Sequence, residues 1–143
     1  MSKIAELIAF AKANPNVFKE INFGNVPNFL AQEINAKTTG TDVRTAIKIL
    51  TTFGIAHILN SHGDHQKESL RGQLGVTEAD FEKIPEILNS PDAIEKGNVS
   101  KKGDEAVLFK KTFSNKIYHV VMNLKEAKNS KSLVVGTMYI KKV

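Results

Sequence analysis

K-I-Y-H-V-V-M-N-L-K, residues Lys116 to Lys125, decides the fold. Side chains alternate along an extended chain, so Tyr118, Val120, Met122 and Leu124 share one face while Ile117, His119, Val121 and Asn123 share the other. The first face is apolar and the second mixed, which is how a sheet covered on one side reads. Two more β-rich runs flank it, Glu105 to Phe113 and Lys131 to Ile140, joined through Ser114-Asn115 and through Ala127 to Ser130. Together they predict an antiparallel meander. In the last run Thr137 reads as lying on the same strand face as Leu133, Val135 and Tyr139.

Upstream the periodicity changes. Ser2 caps a helix whose apolar residues Ile4, Leu7, Ile8 and Ala11 recur at helical spacing until Asn14-Pro15 ends it. Phe18 to Phe23 reads as a short extended piece, Asn25 to Asn28 as a turn, and Phe29 to Ala36 as a second helix broken at Thr39, Gly40 and Thr41. Val43 to Ile49 fits both periods, and a strand is the expectation taken. Thr51 or Thr52 caps a helix running to about Asn60, with Gly63 as its stop. Thr77 and Asp80 resemble a capping box ahead of the stripe Phe81, Ile84, Ile87 and Leu88, which Pro85 divides and Pro91 closes. Val99 to Gly103 reads as a loop. Helices first and a meander last predict an α+β fold, and a length of 143 residues predicts one domain. Residues 1–50 would form its helical N-terminal part and residues 51–143 its core.

Twenty Lys and Arg against fifteen Asp and Glu leave a net charge of +5. Ten lysines fall between Lys101 and Lys142 against three acids, Asp104, Glu105 and Glu126, which leans the last strands toward a polyanionic partner. Cysteine is absent, so disulfides and thiolate chemistry are excluded and a zinc site would need His and carboxylates alone. No apolar run approaches the roughly 18 residues of a membrane span. Glu6 interrupts the apolar N-terminus and no cleavage site follows, so that segment reads as a helix of the folded protein rather than a signal peptide. The expectation is a cytoplasmic chain with no membrane partner.

Chemistry concentrates in His57 to Gln73, H-I-L-N-S-H-G-D-H-Q-K-E-S-L-R-G-Q, which holds three of the four histidines. On a regular helix His57 and His62 would lie about 140° apart, which argues against a paired metal site and favours His62 past the helix end. Asp64 and His65 read as solvated loop residues. Glu68 and Arg71, spaced i and i+3, read as a surface ion pair worth under about 1 kcal/mol. His62, Asp64 and His65 could approach one ion, but no second carboxylate cluster supports them, and Gly72 to Gly75 lacks the lysine and hydroxyl of a phosphate loop. No metal and no cofactor is expected.

His57, His62-Gly63, Glu68, Arg71-Gly72-Gln73, Asp80-Phe81, Ile84-Pro85, Pro91-Asp92 and Thr137-x-Tyr139 follow one another in this order. The set resembles the phage-associated nucleases of the barnase, EndoU, colicin and RelE-like group, in particular the domain found alone or at the C-terminus of phage head-morphogenesis proteins. The resemblance spans about Thr51 to Lys142. It implies a barnase/EndoU-like fold and a metal-independent endoribonuclease, a toxin or effector of a phage or mobile element. The implied partners are RNA, with tRNA as one option, and an immunity or antitoxin protein. Cleavage through the 2'-hydroxyl needs a base, an acid and a cation for the phosphorane charge. The resemblance assigns His57 and His62 as base and acid, Lys111 and Arg71 as phosphate clamps, and Thr137 and Tyr118 as donors to the phosphate. Glu68 would orient a histidine or act as the base, and Tyr139 would offer a ring for stacking. Lys110 and Lys111 must point to opposite faces of a strand, and the sequence leaves open which faces the site.

Each residue also has a reading without chemistry: a core histidine for His57, a helix C-cap for His62, and a β-branched sheet residue for Thr137. The rival function is a non-catalytic RNA-binding or phage-structural module on the same fold. A third is a different phosphotransfer toxin, since fold does not fix reaction.

Overall fold

A computed structural model describes residues 2–39, 42–127 and 130–143. Gly40 and Thr41 of the expected break, and Lys128 and Asn129 of the expected last joint, lie outside the described residues. Helix α1 (Lys3–Ala13) is capped by the Ser2 hydroxyl, which accepts from the Ala5 amide at 2.9 Å, and it buries the predicted Ile4, Leu7, Ile8 and Ala11. Strand β1 (Glu20–Asn25) and helix α2 (Asn28–Lys37) follow. The ambiguous stretch resolves into a 3-10 turn, Val43–Thr45, and then strand β2 (Ile47–Thr51). The Asp42 carboxylate accepts from the Arg44 amide at 3.0 Å, and this local bond delays the strand.

Helix α3 (Thr52–His62) starts at a Thr51 side chain that accepts from the Gly54 amide, and it ends on His62 itself rather than before it. A further helix, α4 (His65–Leu70), occupies the expected loop because Asp64 caps it, accepting from the Gln66 and Lys67 amides at 3.0 and 3.2 Å. After the strap 71–76 comes a 3-10 segment, Glu78–Lys83, opened by the Thr77–Asp80 capping box. Helix α5 (Ile84–Asn89) carries Pro85 in its first turn, where no amide is needed, so the proline divides the stripe into the 3-10 segment and a short helix, as expected.

Strands β3 (Ala93–Lys96), β4 (Ala106–Phe113), β5 (Lys116–Ala127) and β6 (Ser130–Lys142) complete a six-stranded sheet of order β1-β2-β6-β5-β4-β3. The meander β4-β5-β6 is present, extended by β3 on one side and by β2 on the other, where β2 runs parallel to β6. The fold is α+β with a mostly antiparallel sheet. Its first fifty residues are not only helical, since they also supply β1 and β2 to that sheet. Side chains of α1, α2, α3 and α5 join Val120, Met122, Leu133 and Met138 in the hydrophobic core.

Two irregularities place the remaining chemistry. The β5–β6 register slips by one residue, with Val121 opposite Thr137 but Met122 opposite Val135, so Gly136 is the extra residue of a bulge. A Cβ there would come within 2.5 Å of the Asn123 side-chain Nδ2. The bulge reverses the phase of the strand: Leu133 and Val135 are buried before it, Met138 and Ile140 after it. Thr137 and Tyr139 therefore emerge on the face opposite Leu133 and Val135, which corrects the face read from simple alternation. The second irregularity is that β2 pairs with β6 only as far as Val134. Beyond it the strap takes over, with the Leu74 amide donating to the Ile140 carbonyl at 2.8 Å and the Val76 amide to the His62 carbonyl at 2.7 Å. The α3–α4 corner is thereby fixed against the free flank of β6.

Candidate active site

Glu68 is the hub of that corner. It is fully buried, far from the solvated ion pair that its spacing suggested, and its two oxygens serve two partners. Arg71 Nη1 donates to Oε1 at 2.9 Å, and His62 Nδ1 lies 3.0 Å from Oε2. Arg71 Nη1 also donates to the Ser61 carbonyl at 3.1 Å, tying α4 back to the end of α3. A carboxylate facing Nδ1 holds the proton on that nitrogen and presents Nε2 outward.

Tyr139 lies between two imidazoles. Its ring is stacked on His119, with centroids 4.5 Å apart and planes at 10°, and sits 5.9 Å from the His62 ring at 37°. The strand register Lys110–His119–Tyr139 sets Lys110 beside His119 on this face, and Lys141 Nζ is 5.9 Å from the Tyr139 ring. Burial first, then the charges of Lys110 and Lys141, lower the pKa of His119 below its ordinary 6.5, while hydrogen bonding to the Ile117 and Tyr139 backbone opposes them less strongly. The neutral ring has one donor and one acceptor. With Nδ1 3.2 Å from the Ile117 carbonyl, we assign the proton to Nδ1 and the lone pair to Nε2.

This has a consequence for stability. An unfolded chain protonates His119 near pH 6.5 and the folded chain only at lower pH, so between the two values the unfolded state binds more protons. The contribution of the neutral ring is complete above 6.5 and is lost as pH falls from there through the lowered folded value. Urea denaturation at several pH values between about 5 and 7 should therefore show a slope that His119→Phe flattens. An unchanged slope in that variant would contradict the assignment.

The structure separates the residues that the sequence singled out. His62, Glu68, Arg71 and Tyr139 are brought together, and Thr137 lies two residues from Tyr139 on the same strand face. His57 is exposed on α3, one and a half turns before His62. Lys111 and Tyr118, expected at the phosphate, instead pair with each other across β4 and β5 on the helix-covered face. Lys111 Nζ donates to the Ser90 carbonyl at 2.6 Å, and the Tyr118 hydroxyl donates to Asp80 Oδ1 in the core. Burial, reinforced by Asp80, raises the pKa of Tyr118. Tyr118→Phe should cost about 1–3 kcal/mol of stability by urea denaturation, because it leaves a buried carboxylate oxygen unmet, and should leave nuclease turnover unchanged. Lost turnover at unchanged stability would return Tyr118 to the site.

His119 shares the face of Thr137 and Tyr139 without having been a sequence candidate, and of the pair Lys110 and Lys111, left open by the sequence, it is Lys110 that lies on this face. A mixed strand face containing a histidine was the available signal, but its partner Tyr139 is visible only from the register. Gln73 Oε1 and Thr137 Oγ1 are buried with no hydrogen-bond partner among the described residues.

Polar groups left unmet beside paired histidines and lysines suit a site that receives a polar, anionic ligand. The family model described as phage-Barnase-EndoU-ColicinE5/D-RelE like nuclease3 matches residues 24–143. The chain belongs to this nuclease family. No curated protein and no solved structure matches it. The matched span starts at Gly24, so the nuclease unit takes in α2 and β2 as well as the stretch from Thr51 onward. Nucleic acid is the substrate class of such a nuclease. Among the described residues no helix is long and apolar enough to cross a membrane, and no group of three or more His, Asp or Glu is placed to hold a metal ion.

Proposed function

We propose that this nuclease cuts RNA without a metal, using His119 as base and His62 as acid on either side of Tyr139. The observation that carries this reading is the His62–Tyr139–His119 row, with Glu68 and Arg71 behind one imidazole and Lys110 and Lys141 beside the other. His119 Nε2 takes the proton of a 2'-hydroxyl, whose oxygen forms a bond to the adjacent phosphorus. The bond from phosphorus to the 5'-oxygen breaks, and that oxygen takes the Nε2 proton of protonated His62. Glu68, 3.0 Å from His62 Nδ1, offsets the charge of the protonated ring. Products are a 2',3'-cyclic phosphate and a free 5'-hydroxyl. Arg71, Lys141 and Lys110, the last paired with Glu95 at 2.9 Å in the free protein, supply positive charge toward the phosphate oxygens, and the buried, unpartnered Thr137 hydroxyl donates to one of them once the ligand is seated. His119 is 5% exposed and stacked on one face of Tyr139, so a ribose meets it by sitting over the edges of the two rings rather than on the ring face.

His57 is the alternative partner of His62, and the exposed face of α3 is where it would act. A toxin or effector role, with an immunity or antitoxin partner, belongs to the same reading and rests on the phage nuclease family alone.

Purified protein in excess EDTA should cut RNA and spare DNA. Cleavage that needs added divalent metal, or that survives loss of both His62 and His119, would overturn the mechanism. Uncut RNA that binds in a salt-sensitive way would favour the non-catalytic module.

A further inference from the structure

A cleft of about 310 Å³ opens on the strap 71–76, lined by His65, Ser69, Gly72, Gln73, Leu74 and Lys142. That volume is at the lower end of the ~300–1,000 Å³ range of small-ligand sites. We propose that it is a nucleotide subsite, holding the base and phosphate of a residue next to the scissile phosphate. The placement rests on the ribonuclease reading above.

The strap that forms its wall also carries the candidate site. Arg71 holds Glu68, Leu74 pairs with Ile140, and the Val76 amide meets the His62 carbonyl. Tyr139 and Lys142 lie three residues apart on β6. Their side chains leave opposite faces of the strand, so a chain seated over Tyr139 reaches the cleft by crossing the free edge of β6 beyond the Leu74–Ile140 pair. The cleft is also preformed. A Cβ on Gly75 would come within 2.9 Å of His65 Cα, so only glycine lets α4 approach the strap this closely.

The donor set selects the ligand. Lys142 and Ser69 suit a phosphate. His65 Nδ1 accepts from the Gly75 amide at 3.1 Å, which leaves Nε2–H as the donor of the neutral ring. Gln73 Oε1 is buried and unmet, an unfavourable state of the free protein that a ligand N–H relieves once the side chain turns into the cleft. A nucleobase edge alternates N–H donors with acceptors, so it matches Gln73 and His65 together, and Leu74 supplies an apolar wall for its ring. Inorganic phosphate has no N–H to satisfy Gln73.

Calorimetric titration of the full chain with nucleoside 3'-monophosphates and with inorganic phosphate tests this. Gln73→Ala should weaken a nucleotide by about tenfold and leave phosphate unchanged, whereas Lys142→Ala should weaken both. Circular dichroism confirms the fold of each variant, with Gln73→Leu as the replacement if alanine unfolds the strap. Wild-type affinity in both variants, equal effects of Gln73→Ala on nucleotide and phosphate, or no nucleotide binding at all would overturn the subsite. A chain that binds nucleotides through Gln73 and Lys142 yet leaves RNA intact would sink the ribonuclease reading and keep the subsite. A chain that cuts RNA with nucleotide affinity indifferent to both residues would do the reverse.

Discussion

His62→Ala should lower kcat for RNA cleavage by about 10²–10⁴-fold in single-turnover assays, with the fold retained. The ring is mostly buried and is one of two partners of Glu68, so its removal also costs stability at this corner, and circular dichroism checks that the fold is retained. His119→Ala should bring a loss of the same order, and the pH profile identifies its role. A base must be neutral, and His119 stays neutral below pH 6.5 because its pKa is lowered. The acid limb of kcat/KM should therefore fall below 6.5, and Lys110→Ala, which removes a neighbouring positive charge, should move that limb upward. Full activity in His119→Ala together with its loss in His57→Ala would hand the base role to His57.

Arg71→Ala should destabilise the protein by about 2–3 kcal/mol in urea, because it leaves the fully buried Glu68 carboxylate with His62 as its remaining partner at this corner. The effect should stay below the ~3–5 kcal/mol of a wholly buried pair, since the Arg71 side chain is half exposed and screened by water. Glu68→Gln keeps the shape and removes the buried charge, so its stability loss should be smaller. Its activity loss should be larger, about 10²–10⁴-fold, because Arg71 and His62 each face a different oxygen of Glu68, one of them would then face the amide NH2, and the histidine proton is no longer fixed on Nδ1. Glu68→Gln proving less stable than Arg71→Ala, or cleaving as the wild type, would contradict this account of the corner.

What was legible in the sequence was local. Alternation in Lys116 to Lys125 located the covered face, and Ser2, Thr51 and Thr77 marked three starts because capping is a bond between near neighbours. Asp64 as the cap of α4 was passed over, and a loop was read where a helix forms. Long-range pairing was not legible. Nothing in Ile47–Thr51 says that it runs parallel to β6, and nothing in Glu68 says that it is buried, since i and i+3 spacing fits a surface pair equally well. The bulge at Gly136 exchanges the faces of β6 in one step, so no alternation count across it places Thr137 correctly. Of the candidate site, His62, Glu68, Arg71 and Tyr139 stand in the ordered motifs, whereas Lys111 is separated from Lys110 only by register, and His119 is visible only opposite Tyr139.

The most direct measurement is end-group mapping on an oligodeoxynucleotide that carries a single ribonucleotide, incubated with the protein in EDTA. The mechanism predicts one cut, 3' to that ribonucleotide, leaving a 2',3'-cyclic phosphate and a 5'-hydroxyl, and no cut with His62→Ala. Cleavage at deoxynucleotides, or a 5'-phosphate on the new end, would contradict attack by the 2'-hydroxyl and with it the roles given to His62 and His119.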